Sequence, residues 1–505
     1  MFRKTISFLT VLCVAVMAVA QDKIVNIECG GLEEALAGDY SFKSLTIKGS
    51  IDVRDFVCIN NNATAIESID LSGCSIELYD SRDEQYLGIH THFEAGEIPP
   101  TAFLGFTNLK TVKLPLTVKS IAEGAFAGCE SLVSVTGCSS IESIGDFAFS
   151  GCVALDEVEF SAALRRVGDY AFDKCTTLGC IDLSNCSDLA YIGVRAFAQN
   201  TQLSSIKLPA CLTAIRDAAF AGCGALESVI LPAGIVDMGE GVFAACTQLK
   251  SVDMSQCRNM EELPAWTFSA CSNLMYVELP QSLEIIGEGA FGHCLSLQTI
   301  ALPASVNRLH DFAFAGCCAM KVLDFMPEGV ETIGRYAFYH NTSASYTVIP
   351  RTVSYIDDHA FDGCISSDIF YSFRELPADL GEMVFANMDV EKKTLNVETA
   401  SVPIYKSTAQ WNDFGTINAA TAVENVDKSD DVKVVFENYN LKVVASQEIE
   451  DIRLFDVSGM ALYMAQPRTQ EVVIDTQAYA HNIYILQVAT VDGKQTILKI
   501  ARVIR

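Results

Sequence analysis

Cysteine is the residue type with the most chemical potential in this chain. Of 19 cysteines, nine recur three residues after a phenylalanine: Cys129, Cys152, Cys175, Cys223, Cys246, Cys271, Cys294, Cys317 and Cys364. They could form disulfides in an oxidising compartment or a row of buried thiols that pack as small hydrophobic groups. Asn200 and Asn341 occupy the same position, and asparagine cannot form a bridge but can hydrogen-bond to backbone in a turn. The pattern favours the thiol row.

Metal and catalytic sites have weaker support in the sequence. Zinc would need two matched C-x-x-C pairs, which these cysteines do not form. His90, His92 and Glu94 could share a metal ion if they lie on one face of a strand, or they could belong to a solvated loop. The sequence has no G-x-S-x-G, P-loop or G-x-G-x-x-G phrase. We therefore expect no enzyme activity, no metal and no cofactor.

The element that must position these residues is a short internal repeat. An aromatic phrase, usually Ala-Phe, recurs at nearly equal intervals along the chain: Phe103, Phe126, Phe149, Phe172, Phe197, Phe220, Phe243, Phe268, Phe291, Phe314, Phe338, Phe361 and Phe385. Leu203, Ile206 and Leu208 fit L-x-x-L-x-L, the strand signature of leucine-rich repeats. Ala219 and Phe220 are predicted to fill the core on a short helical turn. A single unit cannot enclose a core, so stacked units must share one.

Two of the units, those between Phe172 and Phe197 and between Phe243 and Phe268, are longer than most of the others. They contain Leu183–Cys186 and Met254–Cys257 where other units read Leu-Pro. We expect the extra residues to bulge outward on the return limb and to leave the stacking of the strands intact.

The phrases L-x-x-V-x-L-P, I-G and A-F-x-x-C resemble those of the BspA-like, or Treponema-type, leucine-rich repeat. The I-G element is supplied by five pairs: Ile144-Gly145, Val167-Gly168, Ile192-Gly193, Ile286-Gly287 and Ile333-Gly334. The resemblance covers residues from about 100 to 415. It implies a right-handed solenoid with parallel strands and irregular or short helical return limbs. It also implies a bacterial surface protein that binds host or matrix proteins and other bacteria.

The N-terminus indicates export. Arg3 and Lys4 precede an apolar run that ends at Ala18-Val19-Ala20, which is the pattern of a signal peptide over residues 1–20. No later stretch of the sequence is apolar for long enough to be a transmembrane helix. We therefore expect the mature chain to be secreted or held at the outer cell surface, without insertion into a membrane.

The rest of the chain divides around the repeats. We predict an N-terminal cap over residues 21–100, a solenoid of about twelve units over 101–418 and a linker over 419–431. Tyr405, Trp411 and Phe414 are predicted to cover the last coil. Residues 432–505 contain short strand-like runs typical of a small antiparallel β-sandwich.

The C-terminal sandwich resembles the sorting domain of type IX secretion cargo. The similarity lies in Leu454-Phe-Asp-Val-Ser-Gly459 and Ile483-Tyr-Ile-Leu-Gln-Val488. The chain departs from that family in two ways: it lacks a Pro-Asn-Pro opening, and it has Asn482 where the family usually has glycine. The segment is therefore interpreted either as a sorting signal or as a related sandwich.

The strand face is the usual binding surface of a repeat protein, and its outward positions are rich in charge. We predict that a partner binds at seven of them: Glu157, Glu159, Asp182, Lys207, Asp253, Tyr276 and Glu278. The same outward row continues through Asp324 and Val348. The formal net charge of −28 argues against nucleic acid as a partner.

The predicted function is adhesion, or interaction with a host or matrix protein, through the strand face. A glycan-binding module for nutrient capture and a purely structural surface protein are the alternatives. Sugar sites usually require exposed aromatic platforms, and the strand face has few, so an extracellular protein is the favoured partner.

Overall fold

The structure is a computed structural model that describes residues 22–80, 92–419, 423–425, 432–437, 440–455, 461–476 and 483–501. The predicted signal peptide and His90 lie outside the described residues. Within them, the chain winds through about seventeen coils of a parallel β-solenoid with few helices. The repeat fold predicted from the sequence is confirmed, and the winding continues on both sides of the twelve regular units.

Most coils contribute one strand to a row that we call the front ladder. Its strands pair in parallel in four successive sheets: Asp22–Ile27, Ser44–Ile51, Ser68–Ile76, Thr111–Lys113, Ser134–Thr136 and Glu157–Val158; then Cys180–Asp182 and Ser205–Lys207; then Ser228–Ile230, Ser251–Asp253 and Tyr276–Glu278; then Tyr346–Ile349, Ile369–Ser372, Thr394–Val397 and Thr416–Ala419. Side chains alternate along these strands, so that the central residue of each three-residue strand points into the core.

A second row of two-residue strands, the side ladder, lies on the return limb. It forms two parallel sheets: Glu97–Ile98, Ser120–Ile121, Ser143–Ile144, Arg166–Val167, Tyr191–Ile192, Ala214–Ile215 and Asp237–Met238; then Glu262–Leu263, Ile285–Ile286, Arg308–Leu309, Thr332–Ile333, Tyr355–Ile356 and Asp379–Leu380. The break falls in the second of the longer units, whose extra residues precede Glu262. The front strands still pair across both insertions, so the expectation of undisturbed stacking holds for the front ladder and is wrong for the side ladder at this coil.

The repeated phenylalanines form one continuous stack through the core. From Phe103 to Phe385, consecutive rings lie 5.0 to 6.0 Å apart between centroids, with interplanar angles of at most 27°. All thirteen side chains are buried. Each ring therefore shields its faces by contact with the rings of the neighbouring coils.

The cysteine position beside this stack carries thiols that bond to backbone. Cys129, for example, donates from Sγ to the carbonyl oxygen of Phe103 at 3.0 Å, and the other members of the row reach the equivalent phenylalanine at 3.1 to 3.2 Å. Asn200 donates from Nδ2 to the same carbonyl in its coil, that of Phe172, at 3.1 Å. The favoured interpretation of a buried thiol row is confirmed.

The Ala-Phe segment is not helical, contrary to the prediction for Ala219 and Phe220. Ala218 and Gly222 flank it with positive φ angles of 54° and 74°. The amide of Phe220 donates to the carbonyl of Val242 in the next coil at 2.9 Å. The amides of Ala219 and Ala221 instead donate three residues back along the chain, at 3.2 and 2.9 Å, so turn bonds alternate with bonds between coils and no continuous helix forms.

The glycine of the I-G pair is explained by the close approach of neighbouring coils. A Cβ added to Gly168 would lie 2.6 Å from the carbonyl carbon of Gly145, and one added to Gly334 would lie 2.5 Å from that of His310. No side chain larger than hydrogen fits at these positions without moving the backbone.

Both ends of the phenylalanine stack are covered. Helix α1 (Leu32–Leu36) and helix α2 (Val53–Asn62) lie near the start, and Phe56 from α2 packs edge-on against Phe103 at 5.8 Å. At the other end, Trp411 and Phe414 lie 5.4 and 5.2 Å from Phe385, and Tyr405 packs against Trp411 at 5.3 Å. The predicted covering role of these three aromatic residues is confirmed.

The remaining elements near the ends are short. A strand pair joins Tyr79–Asp80 to His92–Phe93 in antiparallel orientation. Near the C-terminal end of the solenoid, helix α3 spans Val402–Tyr405. The described part of this region also contains three 3₁₀ helices: Val390–Lys392, Thr399–Ser401 and Trp411–Asp413.

The C-terminal region is antiparallel, as predicted. Its strands are Val423–Asn425, Val432–Glu437, Asn440–Phe455, Ala461–Ala465, Thr469–Asp475, Ile483–Thr490 and Gln495–Ala501. Asn440–Phe455 is one long strand with register shifts near Val444 and Ile449, and its two halves pair with different neighbours. Val423–Asn425 falls in the stretch interpreted as a linker and pairs with Gln495–Ala501.

Candidate functional site

The front ladder places the predicted partner-binding residues on one outward surface, which we call the strand face. Glu157, Glu159, Asp182, Lys207, Tyr276 and Glu278 are exposed, and Asp253 is half-buried. The reason is the alternation of side chains along each strand. Ile181, Ile206 and Val277, which alternate with them, point into the core.

Asp182 and Lys207 lie opposite each other on paired strands. The ammonium nitrogen of Lys207 is 2.7 Å from Asp182 Oδ2, and Ser184 donates to the other carboxylate oxygen from its amide and hydroxyl. These hydrogen bonds, the one from Lys207 first, lower the pKa of Asp182 to about 2. Asp182 is therefore an ionised carboxylate whose charge is already balanced by Lys207.

Glu157 and Glu159 belong to the preceding coil and are separated from Asp182 by a break in the front ladder. The sheet that ends with Glu157–Val158 does not pair with Cys180–Asp182. Glu157, Glu159 and Asp182 therefore do not form one continuous acidic patch, because the break and the Asp182–Lys207 ion pair interrupt it.

Asp253, Glu278 and Tyr276 come together on adjacent strands. Asp253 lies opposite Glu278, and Tyr276 lies opposite Ser251. The hydroxyl of Tyr276 donates to Glu278 Oε1, and this bond to a carboxylate raises the pKa of the Tyr276 hydroxyl. The second group of predicted residues is therefore one continuous site.

The seven predicted contact residues did not include the most exposed apolar side chain of this site, although it belongs to the predicted outward row. Ile230 is 71% exposed and lies opposite Asp253, while Tyr276, one strand further, is 55% exposed. An isoleucine in a strand ordinarily indicates core. Its phase in the repeat, which it shares with Lys207 and Asp253, is the signal that places it in the outward row.

The outward row is not open along its whole length. Asp324 and Val348, expected on the accessible face, are each only 1% exposed. Tyr346 donates to Asp324 Oδ2 at 3.0 Å and packs against Tyr371 at 6.4 Å. Outward side chains of these coils form a second small cluster, so the accessible part of the strand face lies in the earlier coils.

The histidine pattern does not assemble a metal site in the described residues. His92 Nε2 lies 3.1 Å from Glu94 Oε1, and His90 lies outside the described residues. Over the described ranges, no three His, Cys, Asp or Glu side chains are placed to share a metal ion. No helix in the described part of the chain has the length and hydrophobicity required to cross a bilayer.

Comparison with known proteins agrees with the geometry. The sequence profile of the BspA type leucine rich repeat region matches six copies, over residues 96–200, 184–274 and 261–391. No protein with a curated description matches the chain.

Several solved structures are similar to parts of the chain. A leucine-rich cell surface protein from Faecalibacterium prausnitzii is 23% identical, with 63% of this chain and 87% of that one covered and a TM-score of 0.40. A leucine-rich repeat protein from Bacteroides ovatus is 22% identical, with 69% of this chain and 86% of that one covered and a TM-score of 0.42. The leucine-rich repeat protein of T. pallidum is 31% identical, with 37% of this chain and 77% of that one covered and a TM-score of 0.28.

The family profile extends over more than half of the sequence, and the coils that it matches carry the phenylalanine stack and the thiol row. The chain therefore belongs to the BspA-type leucine-rich-repeat family.

Proposed function

We propose that this protein is an exported bacterial surface protein that binds another protein through its strand face. Membership of the BspA-type family supports a surface role. The proposed contact residues are Glu157, Glu159, Asp182, Lys207, Asp253, Tyr276 and Glu278, to which we add Ile230.

The observation that carries the proposal is the exposed pair Ile230 and Tyr276 within a charged rim. Binding energy at protein interfaces concentrates in a few apolar or aromatic side chains that are surrounded by polar residues. Here the rim is of mixed sign, since Lys207 lies on one side and Asp253 and Glu278 on the other. Such a rim favours a protein partner over a uniformly charged polymer.

The experiment starts from capture of partners. The mature chain is immobilised and exposed to purified extracellular matrix proteins and to surface extracts of other bacteria, and affinities are measured for the proteins it retains. Combining Ile230→Ser with Tyr276→Ala should weaken binding by roughly a hundredfold, since two central anchors are removed.

Charge reversal tests the rim. Replacement of Glu157, Glu159 and Asp182 by lysine should change the association rate and its dependence on salt. The matched control reverses Glu261, Glu262 and Glu284, which are exposed on the side ladder, and should leave the interaction intact. If every detected interaction survives both the replacement of Ile230 and Tyr276 and the charge reversals on the strand face, the proposed binding site is wrong.

A glycan array separates the alternative function. Retention of neutral oligosaccharides, with no protein retained, would support nutrient capture and contradict the proposal. Export is tested separately by cell fractionation, in which the surface fraction should contain a chain that begins at Gln21. A chain confined to the cytoplasm with residues 1–20 attached would contradict export.

A further inference from the structure

A second surface runs along the edge of the solenoid, at the residue two positions before each stacked phenylalanine. We call this row the edge column: Thr101, Gly124, Phe147, Tyr170, Arg195, Ala218, Gly241, Trp266, Gly289, Phe312, Tyr336, His359 and Met383. Every member has a positive φ, between 51° and 60°. Amide-to-carbonyl hydrogen bonds connect the coils at this row, so its members lie side by side.

Aromatic residues are unexpected at this position. A bulky side chain at positive φ is rare and costs conformational energy, and Gly124, Gly241 and Gly289 show that the coil is compatible with glycine there. The aromatic members nevertheless stack on one another, with Phe312 at 5.1 Å from Tyr336 and Tyr336 at 4.8 Å from His359. These rings are accessible to solvent, and their backbone is held in a strained conformation. Strain of this kind is typical of functional positions, which suggests that the rings have a role outside the core.

Trp266 ends one of these stacks and presents an open ring face. The indole leans over Gly289, where an added Cβ would lie 2.2 Å from its ring carbons, and it stacks toward Phe312 at 6.5 Å. On its other side, the next two column positions are Gly241 and Ala218, which have no side chain that could cover it. Trp266 is accordingly 38% exposed. Trp266 and Arg195 are three coil spacings apart, or about 14 Å at the spacing of parallel strands, and we call the space between them the gap.

The protein itself shows which group fits such a ring. At the far end of the gap, the guanidinium of Arg195 lies over the ring of Tyr170 at 5.6 Å and donates to Asp173 Oδ1 at 3.1 Å. On the side ladder, Arg216 lies over Tyr191 at 5.4 Å and pairs with Asp237. In both cases an aromatic face and a carboxylate together hold an arginine.

Trp266 has an open ring face and carboxylates in the neighbouring coils, although these lie at a different position of the repeat from Asp173. Asp217 and Glu240 immediately precede Ala218 and Gly241 in the gap, Glu288 precedes Gly289 on the other side of Trp266, and all three are exposed. Tryptophan is the best aromatic residue for a cation, and a planar guanidinium can stack while its N–H groups reach carboxylates. We propose that the gap between Arg195 and Trp266 binds an arginine side chain of a protein partner. This site is separate from the strand face.

The test uses the full mature chain and a short glycine-spaced peptide with four arginines, monitored by tryptophan fluorescence. The chain has two tryptophans, and Trp411 is fully buried, so quenching by the peptide should report on Trp266. Two matched peptides, one with lysine and one with the uncharged analogue citrulline, should bind more weakly, in that order.

The decisive variant is Trp266→Gly, which removes the ring and is compatible with the positive φ. It should lower the affinity for the arginine peptide about tenfold, as expected for loss of a cation–π contact. Met383→Gly makes the same change at another exposed position of the column and should leave the affinity unchanged. Equal binding of the arginine peptide to Trp266→Gly and to the parent chain would overturn the proposal, as would quenching by neutral oligosaccharides but not by the arginine peptide.

Discussion

Cys246 illustrates how one residue position serves every coil. Its thiol donates to the carbonyl of Phe220 at 3.2 Å, a carbonyl that would otherwise be buried without a partner in that direction. Asn341 makes the equivalent bond to Phe314 at 3.0 Å, but its Oδ1 has no hydrogen-bond partner. A thiol leaves no second buried polar atom to satisfy, which explains why cysteine predominates at this position.

The buried thiols should make the folded protein less stable at alkaline pH. Burial raises the pKa of Cys223, Cys271 and Cys364 to about 12, whereas an unfolded thiol ionises near 8.5. Below about pH 8 both states are protonated and stability is complete. Between about pH 8.5 and 12 these three thiols lose their protons only in the unfolded state, so the free energy of unfolding should fall as pH rises, by up to about 1.4 kcal/mol per pH unit for each such thiol.

Urea unfolding at pH 7.5, 9 and 10 measures this dependence. The control carries asparagine at positions 223, 271 and 364, as the chain itself does at Asn200 and Asn341. It should be less stable at pH 7.5 and should lose less stability between pH 7.5 and 10 than the parent chain. If the free energy of unfolding changed equally with pH in both proteins, the thiols would not be the cause of the pH dependence.

The single coil is the next scale, and close approach of coils is its main constraint. An added Cβ at Gly168 would lie 2.6 Å from a carbonyl carbon and 2.7 Å from an amide nitrogen of the preceding coil. Gly168→Ala should therefore destabilise the protein by about 2 kcal/mol or more, because the clash is with backbone that belongs to a packed ladder.

Gly179→Ala is the matched control for this prediction. Gly179 has no atom within 4 Å of an added Cβ and has an ordinary φ, so the change should be neutral within about 0.5 kcal/mol. Thermal unfolding followed by circular dichroism compares the two variants. Equal melting temperatures for both would mean that the coils are less closely packed at Gly168 than the structure indicates.

At the scale of the coil, the sequence could predict what repeats in residue type and could not predict backbone conformation. The phenylalanine and cysteine rows were recognisable because one residue type returns at a nearly fixed interval. The edge column escaped notice because Phe147, Arg195 and Trp266 share only a positive φ, which these residue types rarely adopt. The predicted helical turn failed for the same reason.

The whole molecule is a stack whose coils depend on their neighbours, and this dependence limits what the sequence can say about its surface. Asp324 and Val348 have the phase of exposed residues, yet they are buried, because side chains from several coils pack together on the outward side. Alternation predicts the side of the sheet to which a residue points. It does not predict whether neighbouring coils cover that side, and the candidate site could be only partly located for this reason.

The central claim is that each period of the repeat, from one stacked phenylalanine to the next, is one coil that is shielded by the coils beside it. Deleting residues 221–243 removes one full period and joins Phe220 to Ala244, so that the thiol of Cys246 again follows a stacked phenylalanine by three residues. Deleting residues 221–232 removes about half a period and puts every later row out of register.

Cooperative thermal unfolding, followed by circular dichroism on both deletion variants and the parent chain, is the most direct test. The full-period deletion should fold and unfold cooperatively with a spectrum like that of the parent, because a stack with one coil fewer retains all its neighbour contacts. The half-period deletion should lose this transition or show it at a much lower temperature. Equal damage from the two deletions would contradict the account.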